Sequence, residues 1–418
     1  MDAVYGDRLR QARILRAHKL SDVADALGCA TSTVSKWESA HQVELDSVRR
    51  EKVARFLQFP EAFFHLEPTP KLSDSDLLYR APKSTLKREK DYLREFLRLV
   101  SEILVWLDDK RQLPPVKLKP LPGPSDIAEA AKNARRFIGI DTDRPISFLT
   151  HPLERAGIVV VVRRRRLSDK ISDDPGLEVR RPHNERHEGC SAWVGDFRER
   201  PVIMMKASES WERTRWTLAH EIGHLVMHPS SEVMTSNAEE EASQFANEFL
   251  APISQIKQEL PPLITIAALI DVKMRWGISL AALVRHLHYN DVIDDRRKNT
   301  LYSQLYTRQN PETGRSFGVT EPGWDLHVPE RPRLLSAWIG RVVGSIVPEF
   351  VASVSSRWPA DLIAEILTEQ RSGPNHRSAL PANSPDKGEA KVIAFPFQGQ
   401  GHGLEEGTYM LNSVRRGN

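Results

Sequence analysis

The stretch Thr217-Leu-Ala-His-Glu-Ile-Gly-His-Leu-Val-Met-His228 carries the chemistry around which the rest of the chain is read. It contains His220-Glu221-x-x-His224. Two histidines four residues apart on a helix project from one face, so both imidazoles can reach one Zn2+ while the intervening Glu221 points alongside toward a water on the metal. Each residue type has a reason. Neutral imidazole suits a borderline-soft ion, zinc lowers the pKa of its water toward neutrality, and a neighbouring carboxylate can take the proton. Leu218, Ala219, Ile222, Leu225 and Val226 make this a buried amphipathic helix. Such a helix does not turn two histidines and a glutamate inward without a compensating use.

A third protein ligand is required. His228 continues the same row but lies two turns from His220, and no glycine breaks the helix there, so it is too far away to join a tetrahedral site. A second helical stretch, residues 237–249, offers Glu239, Glu240 and Glu241. At about 100° per residue, its apolar stripe (Ala242, Phe245, Ala246, Phe249, Leu250) centres near Ala242; Glu239 lies about 50° from that centre, Glu241 about 110° and Glu240 about 150°. Glu239 therefore faces inward and is the expected third ligand, with Glu241 in reserve. Ser243, one turn on, reads either as a hydrogen-bond partner of a ligand or as a plain surface serine.

Upstream, Gly157-Ile-Val-Val-Val-Val162 is short and β-branched and reads as a buried strand; residues 191–194 and 202–206 read as two more, joined by Asp196-Phe-Arg-Glu-Arg200. A small sheet thus precedes the helix beginning near Trp211. The strand 202–206 is a candidate edge for an extended substrate peptide. Trp216 reads as core, Arg163 to Arg166 as a solvated run at a strand end, and His183 and His187 as surface histidines, with oxyanion stabilisation the sharper alternative. Residues 86–113 place Leu93, Phe96, Leu97, Val100, Ile103, Leu104 and Leu107 at helical spacing and predict one long helix.

Residues 5–65 read as two helices, a tight turn, a third helix and two short helical pieces, with Leu9, Ala12, Val23, Ala24, Leu27, Val34 and Trp37 as the apolar contacts. Gly28 sits where the turn needs a residue tolerant of positive φ. The helix after it carries Thr31, Ser32, Thr33, Ser35 and Lys36, short hydroxyl and cationic side chains that suit insertion into the major groove. Residues 1–65 hold ten basic against nine acidic residues, so counterion release gives a monomer little affinity and DNA binding implies a homodimer. The plainer reading is a helical bundle kept for protein docking.

Val23-Ala-Asp-Ala-Leu-Gly28 followed by Thr33-Val-Ser-Lys-Trp-Glu38 resembles the helix-turn-helix domain of the Xre (lambda-repressor-like) regulators, with Lys19-Leu20 where that family usually has Thr-Gln. Arg213-Thr-Arg-Trp-Thr-Leu-Ala-His-Glu-Ile-Gly-His-Leu-Val-Met-His228, with Glu239-Glu-Glu-Ala-Ser-Gln-Phe-Ala-Asn-Glu-Phe-Leu-Ala-Pro252 after it, resembles the ImmA/IrrE family of zinc metallopeptidases. Leu153-Glu-Arg-Ala-Gly-Ile-Val-Val160, Pro201-Val-Ile-Met204 and the order of domains extend the similarity over most of residues 5–287. The resemblance implies Glu239 as the glutamate of a Glu-x-x-x-Asn/Asp pattern, with Ser243 replacing the Asn or Asp. It also implies cleavage of a partner repressor or anti-repressor-like DNA-binding protein.

The chain has 418 residues, 40% hydrophobic and 28% charged, which excludes one small domain and wholesale disorder. Two cysteines exclude a disulfide framework and an all-cysteine zinc site. The charged N-terminus and the lack of an apolar run near eighteen residues predict a cytoplasmic protein. A net charge of +3 biases it only weakly toward polyanions. Pro and Gly cluster at residues 68–70, 114–124 and beyond 373. The expectation is therefore an α+β chain. An all-α Xre-type helix-turn-helix domain spans 1–66, a helical linker 67–124, a gluzincin-like zinc metallopeptidase domain with a small sheet 125–290, a helical region 291–372 and a disordered tail 373–418. The expected function is a zinc-dependent endopeptidase that binds DNA and cuts a regulatory protein. The rival is a transcription regulator whose peptidase-like domain senses a ligand or docks a partner.

Overall fold

The structure, a computed structural model, describes residues 3–69, 87–121, 126–163, 189–195, 197–229 and 237–367. Arg164 to Arg166, His183, His187 and the tail from 373 lie outside the described residues.

Strand β1 (Ala3–Tyr5) leads into helices α1 (Gly6–Leu15), α2 (Leu20–Leu27) and α3 (Thr31–Ser39); β2 (Gln42–Glu44) then returns antiparallel to β1, and α4 (Ser47–Leu57) and α5 (Glu61–Phe64) follow. Asp22 accepts the Lys19 amide at 2.7 Å and starts α2, and Gly28 ends it with φ of 66°. That left-handed geometry is open to glycine at little cost. Glu38 is buried and takes a bidentate pair from Arg13, at 2.6 and 2.8 Å, which fastens the end of α3 to α1. Val23, Ala24, Leu27 and Val34 close the core beneath.

Helix α6 (Lys87–Lys110) matches the long helix expected from apolar spacing. It is more than a spacer. Phe96, Leu97, Leu99, Val100 and Leu107 are fully buried, and Glu95, Arg98 and Glu102 are buried on the side that meets α1. Arg8 pairs with Glu102 at 2.6 Å and Arg98 with Asp7 at 2.6 Å. These charges are compensated within the contact, as burial demands.

Helices α7 (Ile127–Ile138) and α8 (Thr150–Arg155) precede strands β3 (Val159–Arg163), β4 (Gly189–Val194) and β5 (Arg200–Lys206). The sheet order is β3-β5-β4, with β3 parallel and β4 antiparallel to β5. The strand proposed from sequence as a peptide-binding edge is thus central, because its two neighbours occupy both of its hydrogen-bonding sides. Side chains alternate between two cores. Val159, Val161, Cys190, Ala192, Val194, Val202 and Met204 join a first core with α1 to α6, while Val160, Trp193, Ile203 and Met205 join a second. Burial on both faces explains the unbroken apolar runs. Arg163 corrects the solvated reading: it is 8% exposed and lies over the Tyr92 ring.

The second core is roofed by α9 (Trp211–Met227), α10 (Ala238–Leu250), α11 (Ile253–Glu259), α12 (Ile266–Trp276), α13 (Leu280–Tyr289) and α14 (Asp295–Thr307). Three more helices, α15 (Leu334–Val343), α16 (Pro348–Ser355) and α17 (Ala360–Leu367), return to the first core. Remote carboxylates tie the connecting segment down by accepting the orphan amides of helix N-termini. Glu321 accepts from Leu280 at the start of α13, Glu330 from Leu149 and Thr150 at α8, and Glu154 from Arg333 and Leu334 at α15. Among the described residues no single helix is long and apolar enough to cross a membrane.

Candidate metal centre

Ser210 caps α9 by accepting the Arg213 amide, and the helix runs against the second-core face of the sheet beside β4. Period-two alternation puts Gly189, Ser191 and Trp193 on the α9 side of β4. There Trp193 donates to the Leu225 carbonyl at 3.1 Å, and Ser191, fully buried, donates to Glu221 Oε2 at 2.8 Å. A Cβ on Gly189 would lie 2.8 Å from Glu221 Oε1, so only glycine leaves that carboxylate its place. On the other side α10 packs antiparallel on α9. Gly223 makes this close approach possible: a Cβ there would stand 3.0 Å from the Phe245 ring and 3.3 Å from the Ala242 Cα.

The consequence is a convergence of three side chains. His220 Nε2 and His224 Nε2 are 3.2 Å apart, with Glu239 Oε2 3.4 Å from the first and Glu239 Oε1 3.6 Å from the second. These are also the residues whose ligand atoms fall together within 4.8 Å. Tetrahedral ligands about 2.0–2.1 Å from zinc stand about 3.3 Å from one another, so the spacing and the N2O donor set fit that ion. Three protein donors with a fourth direction left over is the pattern of catalytic rather than structural sites.

Glu221 is 3% exposed. Burial pushes its carboxyl up to about 8, the Ser191 hydrogen bond works against that rise, and the negative charge of Glu239 adds to it. A carboxylate held near neutrality is suited to exchanging protons. Cys190, next to Ser191 but in the first core, is buried, and its thiol is held well above the usual range. It offers no thiolate nucleophile.

Glu241, the reserve ligand, bonds His228 Nε2 at 2.7 Å. Ser243 donates to the main-chain carbonyl of Glu239 at 2.7 Å, one turn back, rather than to a ligand side chain. Trp216, read as core, is only half-buried; it stacks on His220 with ring centroids 5.0 Å apart and donates to Asn247 Oδ1 at 2.9 Å. Neither Ser191, read only as part of a strand, nor Trp216 was expected beside the cluster, although a lone serine in an apolar strand two residues after a glycine was a signal. In the N-terminal region Thr31, Ser32, Ser35 and Lys36 are exposed on α3 and Thr33 is partly so.

Residues 155–288 match the family model of the IrrE N-terminal-like domain, Peptidase_M78. The matched stretch runs from the end of α8 into α13 and includes the sheet, both histidines, Glu221 and Glu239. It supports the ImmA/IrrE resemblance over that part of the chain and, with the His/Glu cluster, a metallopeptidase-type domain. A search of curated proteins finds no match.

Proposed function

We propose that this chain is a zinc-dependent, gluzincin-like endopeptidase fused to a DNA-binding helix-turn-helix domain, and that it cuts a regulatory protein, a DNA-binding repressor, in the cytoplasm. The observation that carries the reading is the approach of His220, His224 and Glu239 within 4.8 Å beside the buried Glu221. Those three residues would hold the ion. When bound, zinc would supply positive charge that polarises a peptide carbonyl and makes water easier to deprotonate. Glu221 takes the proton from the attacking water and passes it to the leaving amine. Ser191 fixes which way the Glu221 carboxylate faces, and Trp216 and Asn247 restrain the His220 ring. Both cysteines are free, in keeping with a reducing compartment.

The DNA-binding half rests on the exposed hydroxyl and lysine side chains of α3 after the Gly28 turn, and its near-neutral charge makes a homodimer part of the proposal. The test is to incubate zinc-loaded wild type and Glu221→Gln with cytosolic protein and read the peptides by mass spectrometry. One DNA-binding protein cut by wild type alone is expected. Cleavage by both proteins overturns the role of Glu221. Cleavage by neither leaves the regulator without proteolysis.

A further inference from the structure

Glu239 stands in the first turn of α10. First turns fray, because their amides lack partners within the helix. A ligand in that position needs its turn held against the helix that carries the histidines. The Trp216–Asn247 bond joins α9 and α10 two turns further along, too remote to restrain the end. His228 and Glu241 meet at the end itself. His228 is 1% exposed, closes α9 with its amide on the His224 carbonyl at 2.9 Å, and reaches Glu241 Oε2 with its Nε2 at 2.7 Å. Its ring centroid lies 5.5 Å from that of His224. One side chain thus grips the turn that carries Glu239, and its backbone is bonded to a histidine of the cluster.

We propose that the His228–Glu241 pair is a clamp that sets the zinc affinity of the His220–His224–Glu239 site by holding the first turn of α10 in register with α9. His228 and Glu241 are positioning residues and contribute no ligand atom. This rests on the metal-site reading above. Groups that hydrogen-bond a ligand directly are typically worth about 10–100-fold in metal affinity, and a pair acting through the turn that carries the ligand is expected at the lower end of that range.

The experiment measures Zn2+ affinity of the full chain by competition with a chromogenic chelator, for wild type, His228→Ala, Glu241→Ala, the double variant and Glu241→Gln, whose amide oxygen can still accept. Each alanine variant should weaken zinc by at least tenfold, the double variant should be no weaker than the worse single, and Glu241→Gln should recover most of the loss. Urea unfolding of the zinc-free proteins serves as the second readout, where the same variants should differ far less than they do in zinc affinity. Single variants that bind zinc as tightly as wild type, or losses that simply multiply in the double, overturn the clamp and leave the metal site standing. A wild-type chain that takes up no zinc overturns the metal site, and the clamp with it.

Discussion

A methyl group at Gly189 tests how closely β4 controls the candidate base. The Cβ of Gly189→Ala would stand 2.8 Å from Glu221 Oε1, 3.2 Å from Glu221 Cδ and 2.9 Å from Thr217 Cγ2. Contacts of this kind relax to about 3.4 Å or more, so the carboxylate must retreat by roughly half an ångström. Thr217 belongs to a packed helix and is itself buried, which leaves the Glu221 side chain as the softer partner. Retreat stretches its 2.8 Å bond to Ser191, a loss of about 1 kcal/mol. Overpacking adds about 1–3 kcal/mol to the cost in stability. A misplacement of about 1 Å costs on the order of a hundredfold in rate, so half that distance should cost about tenfold. The assay is kcat and KM on the protein cleaved by wild type, with zinc content measured in parallel. The expected result is a tenfold lower kcat, an unchanged KM and full zinc. An alanine variant with wild-type kcat, or one whose loss follows a loss of zinc, would refute the reasoning.

Two further outcomes follow from buried charges. Glu102→Ala removes one partner of the Arg8 pair, whose side chains are 3% and 5% exposed. Stranding a buried cation should lower the unfolding free energy by about 3 kcal/mol in a urea titration, and a change below about 0.5 kcal/mol would place that pair among surface bridges. Burial pushes the Glu321 carboxyl up to about 7, against the pull of Lys273 and the Leu280 amide. Because this lies above its unfolded value, the native state holds the proton more tightly. The contribution is therefore complete at low pH and lost as pH rises through 7, on the order of 3 kcal/mol between about pH 5 and 8. Glu321→Gln should flatten that part of the stability profile, and an unchanged slope would assign it to another group.

What sequence reveals here depends on the range of the contact. His220 and His224 share a helix face by local spacing, and the helical phase that turned Glu239 inward agrees with its place 3.4 Å from His220 Nε2. The strands at 159–163 and 200–206 were legible because β-branched apolar runs bounded by turns leave few alternatives. Sheet order was not, since pairing is a choice among distant partners and a central strand and a buried edge strand share one composition. The bonds from Ser191 to Glu221 and from Trp216 to Asn247 join residues 30 and 31 positions apart, and the Arg8–Glu102 pair spans 94. No local period records such contacts. The role of α6 was half visible: its apolar spacing was plain, but nothing in local spacing tells its Glu95, Arg98 and Glu102, buried where α1 lies against them, from charges on a solvated face.

Zinc content bears most directly on the metal site. Wild type, loaded with Zn2+ and freed of excess, should carry about one ion per chain by mass spectrometry of the metal. His220→Ala and Glu239→Ala should lose it, and Glu221→Gln should keep it. A wild-type chain that retains none, or a His220→Ala variant that retains the full amount, would contradict the assignment.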